Sequence, residues 1–315
     1  MRRIVPSPRS SVLAILSVLL AYGPPTFGAA EIEAAGFAFL DEVPFSKTSY
    51  CIRFVRTPDA PPPVQKFVYA KTPHGELELL VHVPASWKAT DRRPAIVFFF
   101  GGGWTAGTVE QFTVQAARLA ELGMVAARAD YRVKSRHKVT PAECVEDALS
   151  AVRYIRKNAA TLGVDPNRIA AAGGSAGGHI AACTATVPAD GGDAVSAKPN
   201  ALVLFNPVLK FAGVPILARL VGNDEKIAAR ISPTLHVTKD LPPTLLFFGT
   251  RDLLLAQGRE FEAKAKEAGA RVELFTAEGE GHAFFNRPPW KEKTLARAIE
   301  FLTSIGYIQG VAAGK

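Results

Sequence analysis

Eight strand-like runs constrain the fold of this 315-residue chain more than any other feature of its sequence. The runs are FVYAKT, LELLVHVP, AIVFFF, MVAARADY, RIAAAGG, ALVLFNPVL, PTLLFFGT and VELFTAEGE. The central runs are apolar almost throughout, as in parallel strands that are covered on both faces. From the third run onward most of them are separated by segments with helical periodicity, which favours an α/β fold with right-handed crossovers. We therefore expect a mostly parallel eight-stranded sheet with helices on both faces.

The clearest of the helical segments is PAECVEDALSAVRYIRKNAATLG. Thr140 is the candidate N-cap, Pro141 suits the first helical position, and Glu143 completes the capping pattern. Gly163 stands where a glycine ends a helix. The segment QGREFEAKAKEAGA and residues 289–305 are expected to form two further helices.

A serine surrounded by glycines follows the fifth run, in the stretch AAAGGSAGGHIAA at residues 170–182. Gly173–Gly177 fits the GxSxG pattern, in which a strained strand-to-helix turn exposes a serine at the top of a sheet. Large side chains beside such a turn would collide with its neighbours, and the helix N-terminus favours developing negative charge. A glycine-rich packing turn is the alternative. The strand–turn–helix context favours Ser175 as a nucleophile.

A serine nucleophile needs a base, and the base needs an orienting acid. In open α/β sheets, functional residues lie at the carboxyl ends of the strands. Asp252 directly follows PTLLFFGT, and His282 lies in GEGHAFF after the last strand. Asp240 precedes its strand and is therefore at the wrong end. Ser175, Asp252 and His282 also occur in the order expected of a hydrolase triad.

The other five histidines are weaker candidates for the base than His282. His179 lies one helical turn beyond Ser175, but the helix would hold its ring beside the serine, so we expect a structural residue. The remaining four have no metal-ligand spacing and are expected to be ordinary surface or core residues; they are His74, His82, His137 and His236.

The glycines in AIVFFFGGGWTAG are candidates for stabilising an oxyanion. Gly101–Gly103 would leave backbone amides uncovered after a central strand, and the Ala176 amide would be a further donor. A flexible turn is the alternative. Trp104 lies beside this loop and Phe284 beside the candidate base, and bulky rings at these places would shorten an acyl pocket.

Five segments together resemble the α/β-hydrolase superfamily: FGGGW, ADYRVKS with TPAECVEDA, GGSAGGH, LLFFGTRD and GEGHAFF. The resemblance covers about residues 65–305 and points to the branch that contains hormone-sensitive-lipase-like carboxylesterases and the acetylxylan and feruloyl esterases. It implies the α/β-hydrolase fold, with these roles for six residues: nucleophile Ser175, base His282, acid Asp252, and amide donors Gly102, Gly103 and Ala176.

Two positions depart from the pattern of the hormone-sensitive-lipase-like enzymes. Phe100 stands where they usually have a histidine before the triple glycine, and Gly174 stands where they commonly have an aspartate. Neither position belongs to the implied triad or to the amide donors, so we expect the chemistry to survive.

The first thirty residues have the layout of a secretory signal peptide: three arginines, the apolar run SVLAILSVLLAYG and a small-residue end. We expect cleavage near residue 30 and a secreted or periplasmic protein without stable membrane insertion, with an uncleaved signal anchor as the alternative. An N-terminal extension is expected over residues 31–65, the catalytic domain over 66–309 and a tail over 310–315.

Charge and cysteine content exclude several classes of function. The formal net charge is +8, but the basic residues are scattered among acids, so we expect no nucleic-acid partner. Cys51, Cys144 and Cys183 allow at most one disulfide and form no CxxC motif, so we expect no metal site and no cofactor.

We expect a serine carboxylesterase that acts on short acyl esters, such as acetyl esters of small molecules or polysaccharides, or feruloyl esters. A peptidase or amidase on the same fold is one alternative, and a non-catalytic binding protein is another. Leu217, Leu220 and Val221 could line one wall of the cleft or pack onto the sheet. The segment that holds them is too short for a large mobile lid, so we expect no activation at lipid interfaces.

Overall fold

The computed structural model describes residues 64–188 and 194–309 in full, together with the backbone of four short strands nearer the amino terminus. Those strands are Phe37–Phe39, Val43–Pro44, Tyr50–Cys51 and Phe54–Arg56, and they form two antiparallel pairs. They belong to a unit spanning Met1–Pro61, whereas Pro62–Lys315 forms a second unit. The predicted leader and tail lie outside the described residues.

The second unit contains one eight-stranded sheet. Its strands are β1 (Val64–Thr72), β2 (Gly75–His82), β3 (Arg93–Phe99), β4 (Val125–Ala129), β5 (Val164–Gly174), β6 (Ala201–Phe205), β7 (Thr244–Gly249) and β8 (Val272–Ala277). Their order across the sheet is β1, β2, β4, β3, β5, β6, β7, β8. Strand β2 pairs antiparallel with β1 and β4, and every other pair is parallel. The prediction of a mostly parallel eight-stranded sheet is confirmed.

Eight α-helices and four short 3₁₀ helices lie in the described ranges of this unit. The α-helices are α1 (Thr113–Glu121), α2 (Lys134–His137), α3 (Pro141–Lys157), α4 (Ala176–Thr186), α5 (Pro215–Ala218), α6 (Glu225–Arg230), α7 (Leu255–Glu267) and α8 (Trp290–Ser304). The 3₁₀ helices are Val109–Phe112, Arg219–Val221, Pro233–His236 and Phe284–Asn286. Within the described ranges, no helix is both long and apolar enough to cross a membrane.

Helix α3 begins where the sequence predicted and ends earlier. The Thr140 backbone donates to the Glu143 carboxylate over 2.9 Å, Pro141 takes the first helical position, and a capping box closes this end. The helix stops at Lys157, and the chain turns through Gly163, with φ +63°, directly into β5. Gly163 therefore ends the connection to the strand, not the helix itself.

Helices cover the sheet on both faces, as predicted. One core cluster joins the strands to α3, α4 and α7 through Val145, Ile180 and Phe261. The other joins them to α1 and α8 through Leu119 and Phe301. Because both faces are covered, the carboxyl edge of the parallel strands is the place where polar side chains can meet without burial in either core.

Candidate active site

The turn from β5 into α4 holds Ser175 in a strained backbone conformation. Ser175 has φ +52° and ψ −116°, which non-glycine residues rarely adopt. Its amide donates to the Phe205 carbonyl over 2.8 Å. A Cβ at Gly173 would lie 2.4 Å from the Gly177 oxygen, and one at Gly177 would lie 2.1 Å from the Phe99 oxygen. The flanking glycines are therefore required by close backbone packing around the serine.

The two departures from the hormone-sensitive-lipase-like pattern have local explanations. A Cβ at Gly174 would lie 2.4 Å from Cζ of Phe285, so the ring occupies the space that an aspartate would need. Phe100 stacks on Tyr131 with ring centroids 4.1 Å apart, and the Tyr131 hydroxyl donates to the Phe100 carbonyl over 2.7 Å. Aromatic packing therefore replaces polar side chains at both positions.

The predicted nucleophile, base and acid form a continuous line of hydrogen-bonded side chains. Nε2 of His282 lies 2.9 Å from Oγ of Ser175, and Nδ1 of His282 lies 2.9 Å from Oδ2 of Asp252. Asp252 follows β7 and His282 follows β8, while Ser175 follows β5. The carboxyl ends of three parallel strands thus bring together residues that are far apart in the chain.

The environment of Asp252 keeps its carboxylate ionised. Burial alone would raise its pKa, but hydrogen bonds from His282 and from the Leu254 amide outweigh burial and hold the pKa below its usual value. The Asn206 side chain is a further donor, with Nδ2 2.5 Å from Oδ2 of Asp252. Asn206 is not among the residues predicted from the sequence, although its position as a polar residue directly after the buried strand β6 is a signal that could have revealed it.

The triple-glycine loop after β3 carries unpaired backbone donors. Gly102 has φ +134° and Gly103 has φ +62°, and the Gly102 carbonyl accepts from the Thr105 and Ala106 amides, both over 3.1 Å. Within the described ranges, the amides of Gly102 and Gly103 have no hydrogen-bond acceptor. The Ala176 amide, in the first turn of α4, has no partner within its helix. These three amides remain able to bind an anionic oxygen.

Gly101 differs from its two neighbours, because its amide is already engaged. The Gly101 amide donates to Oε1 of Gln111 over 2.6 Å, so the expectation that all three glycines leave their amides uncovered is wrong for this one. Nε2 of Gln111 donates to Oδ1 of Asn286 over 3.1 Å. Gln111 therefore links the glycine loop to the segment that follows His282, a role with no signal in the sequence pattern.

Trp104 is held at the base of the glycine loop by His179. The Trp104 indole donates to Nδ1 of His179 over 3.2 Å, and Nε2 of His179 lies 2.7 Å from the Ile231 carbonyl. A carbonyl only accepts, so Nε2 carries the proton and the ring is neutral; burial lowers the pKa of His179 to about 4. Both ring nitrogens are engaged away from Ser175, in agreement with the expected structural role.

Phe284 lies in the core and not along a substrate cleft. Its side chain is fully buried and packs edge-on against Trp290, with ring centroids 5.4 Å apart. Ala283, with φ +62°, turns the chain after His282, so the next residue points into the core cluster beneath α8. The expectation that Phe284 limits the acyl pocket is therefore wrong. Trp104 is also buried, but it directly follows the three glycines of the loop.

Comparison with protein families decides what kind of chain this is. Residues 96–286, more than half of the chain, match the model of a family described as having the alpha/beta hydrolase fold. This chain belongs to the α/β-hydrolase family. The matched segment begins in β3 and ends just after His282, so it includes the glycine loop, Ser175 and Asp252.

The curated proteins and solved structures that this chain resembles carry related names. A probable isoprenylcysteine alpha-carbonyl methylesterase of Oryza sativa subsp. japonica is 30% identical over 68% of this chain and 56% of its own length. Carboxylesterase NlhH of Mycobacterium tuberculosis is 31% identical over 62% of this chain and 68% of its own. A Thermogutta terrifontis esterase structure is 44% identical, with a TM-score of 0.74, over 80% of this chain and 95% of that one. This chain spans about half the length of the first two curated relatives that it matches.

The segment between β6 and β7 packs on the core. Val221 is buried, and Leu217 and Leu220 are half-buried against the core cluster that includes α4. Of the two alternatives for this segment, packing against the core accounts for all three side chains, and the 3₁₀ helix Arg219–Val221 contacts helix α3. Ile216, beside them on α5, is 72% exposed.

The described part of the chain contains no group of three or more histidine, cysteine, aspartate or glutamate residues placed to hold a metal ion. Cys144 and Cys183 are buried free thiols, and burial raises the pKa of each. Both are core residues.

Proposed function

We propose that this chain hydrolyses carboxylic esters with Ser175 as the nucleophile, His282 as the general base and Asp252 as the orienting acid. The observation that carries the proposal is the unbroken line of hydrogen bonds from the Ser175 hydroxyl through His282 to Asp252, 2.9 Å at each step. A serine hydroxyl becomes a strong nucleophile when an adjacent base accepts its proton.

The proposed reaction has two halves. Oγ of Ser175 attacks the acyl carbon while its proton passes to Nε2 of His282, and the oxyanion accepts hydrogen bonds from the amides of Gly102, Gly103 and Ala176. The imidazolium then protonates the departing alkoxide, which leaves as an alcohol. In the second half, His282 accepts a proton from water, the hydroxide attacks the acyl-enzyme, and the carboxylic acid leaves as the serine hydroxyl is restored.

Names of similar proteins support ester hydrolysis. The relatives are a methylesterase and a carboxylesterase, and the Thermogutta terrifontis protein is an esterase. Solved structures of that esterase are described with propionate bound, with butyrate bound and as phosphonylated by sarin. Phosphonylation is the behaviour we expect of an activated serine, and the two acids match a site for short acyl groups.

We further propose that the acyl group is short and that acetyl esters are preferred to butyryl esters. Trp104 supports a short acyl group, because it directly follows the glycine loop and its bulky ring packs against His179 and Phe211. The centroids of the Trp104 and Phe211 rings are 5.1 Å apart. A ladder of p-nitrophenyl esters from acetate to palmitate tests this, with the highest kcat/KM expected at acetate. A maximum at the long-chain esters, with a jump once the substrate forms micelles, would identify a lipase instead.

We also propose that the leader is removed and the enzyme exported. The support is the sequence of residues 1–30 alone, with its arginines, apolar run and small-residue end. N-terminal sequencing of exported protein is expected to begin near Ala29 or Glu31. An intact Met1 on the purified native protein would contradict cleavage and favour a membrane-tethered form.

Replacing the nucleophile tests the reaction. Ser175→Ala is expected to lower kcat for p-nitrophenyl acetate by about three or more powers of ten and to abolish fluorophosphonate labelling. Ser150→Ala, in helix α3, is the matched control and should keep both the wild-type kcat and the fluorophosphonate labelling. Retention of a tenth of the wild-type rate by Ser175→Ala would contradict the assignment. Faster turnover of peptide anilides than of esters by the wild type would favour an amidase.

A further inference from the structure

Asn206 lies directly after the carboxyl end of β6. Its side chain is fully buried, and its backbone has φ +46°, in the left-handed region that asparagine tolerates better than most residues. Its amide donates to the Phe247 carbonyl over 2.8 Å, which ties it to the end of β7, the strand that leads into Asp252.

The carboxylate of Asp252 receives three donors. Oδ1 accepts the Leu254 amide over 2.9 Å. Oδ2 accepts two donors, Nδ2 of Asn206 over 2.5 Å and Nδ1 of His282 over 2.9 Å. The amide of Asn206 thus bonds to the same oxygen that orients the imidazole, so its position constrains the direction from which Oδ2 faces His282.

The other half of the Asn206 amide has no partner. An ionised carboxylate only accepts hydrogen bonds, so the nitrogen of the amide must face Asp252 and the oxygen must face away. Oδ1 of Asn206 is buried without a hydrogen-bond partner in the described part of the chain. A buried acceptor without a partner is unfavourable, so stability alone does not favour asparagine here.

We infer that Asn206 is a positioning residue for the proposed reaction: it fixes the Asp252 carboxylate so that Oδ2 holds His282 in line with Ser175. The inference rests on the proposed function. Asn206 touches neither the substrate nor the reacting atoms, and it acts through Asp252.

Few charged side chains lie close to the Asp252 carboxylate. His282 is the titratable side chain in contact with Asp252 within the described ranges. Arg251, beside it in the chain, donates to the Gly279 carbonyl over 3.3 Å, and Glu280 accepts from the Trp290 indole over 2.8 Å. A charge introduced at position 206 would therefore act on the Asp252–His282 pair directly.

Two substitutions separate positioning from simple stability. Asn206→Gly keeps the left-handed backbone and removes the donor, and Asn206→Asp keeps the shape and replaces the donor with a second carboxyl. The pH profile of kcat/KM for p-nitrophenyl acetate is measured with the thermal midpoint of each variant. Asn223, which has φ +60° and is exposed, supplies the matched controls Asn223→Gly and Asn223→Asp.

We expect Asn206→Gly to lower kcat/KM about tenfold to hundredfold, the loss typical of a hydrogen bond to a charged group. We expect Asn206→Asp to displace the acid limb of the profile by about half a unit or more, because the new carboxyl shares one proton with Asp252 and so changes the charge that faces the imidazole. The Asn223 variants should keep the wild-type profile.

The inference is overturned if Asn206→Gly keeps kcat/KM within twofold of wild type and both Asn206 variants keep the wild-type acid limb. A fall in thermal midpoint with an unchanged profile would equally overturn it, since that result describes a purely structural residue. Absence of wild-type ester turnover and of phosphonate labelling would instead contradict the proposed function, and is therefore a distinguishable failure.

Discussion

At the residue scale, the close packing around Ser175 limits which side chains fit beside it. The strained serine is held by glycines whose missing side chains let β3, β5 and α4 approach one another closely. Gly174 is different from the others, because its space is taken by the Phe285 ring and not by backbone. That ring is buried in contact with Phe112 and Phe205, so it has little freedom to move aside.

Gly174→Ala is expected to destabilise the fold by about 1–3 kcal/mol, because its Cβ would lie 2.4 Å from Cζ of Phe285. Urea unfolding measures the change. Gly281→Ala, where an added Cβ meets nothing within 4 Å, is the control for stability. The double variant Gly174→Ala with Phe285→Leu should recover part of the loss, and no recovery would show that the ring is not the cause.

Asp252→Asn is expected to lower kcat by about three to four powers of ten, because an amide no longer secures the tautomer of His282 that accepts the serine proton. Ester turnover measures the loss in kcat, and phosphonate labelling reports the reactivity of Ser175 in the variant. Asp240→Asn, at the opposite end of β7, is the control and should keep wild-type kcat. Full activity of Asp252→Asn with loss in Asp240→Asn would reverse the assignment of the acid.

At the scale of elements, the short 3₁₀ helix Val109–Phe112 organises the glycine loop. Arg128 on β4 anchors this helix by donating to the Val109 carbonyl over 3.0 Å and to Oγ1 of Thr113 over 2.7 Å. Gln111 in turn binds Gly101 and Asn286. The loop that offers the amides is therefore supported by an element beside it as well as by the hydrogen bonds to its own Gly102 carbonyl.

Gln111→Ala is expected to lower kcat about tenfold with little change in KM, because the Gly101 amide loses its acceptor and the neighbouring donors lose their fixed direction. Steady-state kinetics with p-nitrophenyl acetate measure both constants. Asn286→Ala, which removes only the link to the segment after His282, should have a smaller effect. An unchanged kcat in Gln111→Ala would show that the loop holds its shape unaided.

At the scale of the whole molecule, two buried histidines link stability to pH. Burial is the first cause that lowers the pKa of His82 and of His179, each to about 4. His82 lies beside the Arg128 guanidinium, which also disfavours its charge, and its Nδ1 is buried without a hydrogen-bond partner in the described ranges. Both rings are neutral in the folded protein at neutral pH.

The free energy of unfolding is therefore expected to fall as pH decreases from about 6.5 toward 4. In this window the unfolded chain binds protons at these two positions and the folded chain does not, so protonation favours unfolding. The expected decline is about 1–3 kcal/mol for each histidine, measured by urea unfolding at several pH values. His179→Gln should flatten the curve and the exposed His74→Gln should not; equal curves for all three proteins would contradict the prediction.

The order and type of the strands and helices could be predicted from the sequence, and so could three candidate catalytic residues. Alternation of apolar runs with helical segments was sufficient for the sheet, because burial on both faces leaves a distinctive composition along each strand. The order of Ser175, Asp252 and His282 was readable, because each directly follows a strand whose carboxyl end lies at one edge of the sheet.

The side chains that support those residues, and the directions of the neighbouring rings, became visible in the folded chain alone. Gln111 and Asn206 hold partners that are 10 and 46 residues away in sequence. The position of Asn206 after β6 marks it as a candidate, but no local pattern identifies its partner or that of Gln111. Phe284 follows Ala283, whose left-handed turn sends the ring into the core. Side-chain direction after a turn depends on backbone angles and on the space left by other elements, and both are set when the sheet and helices pack together.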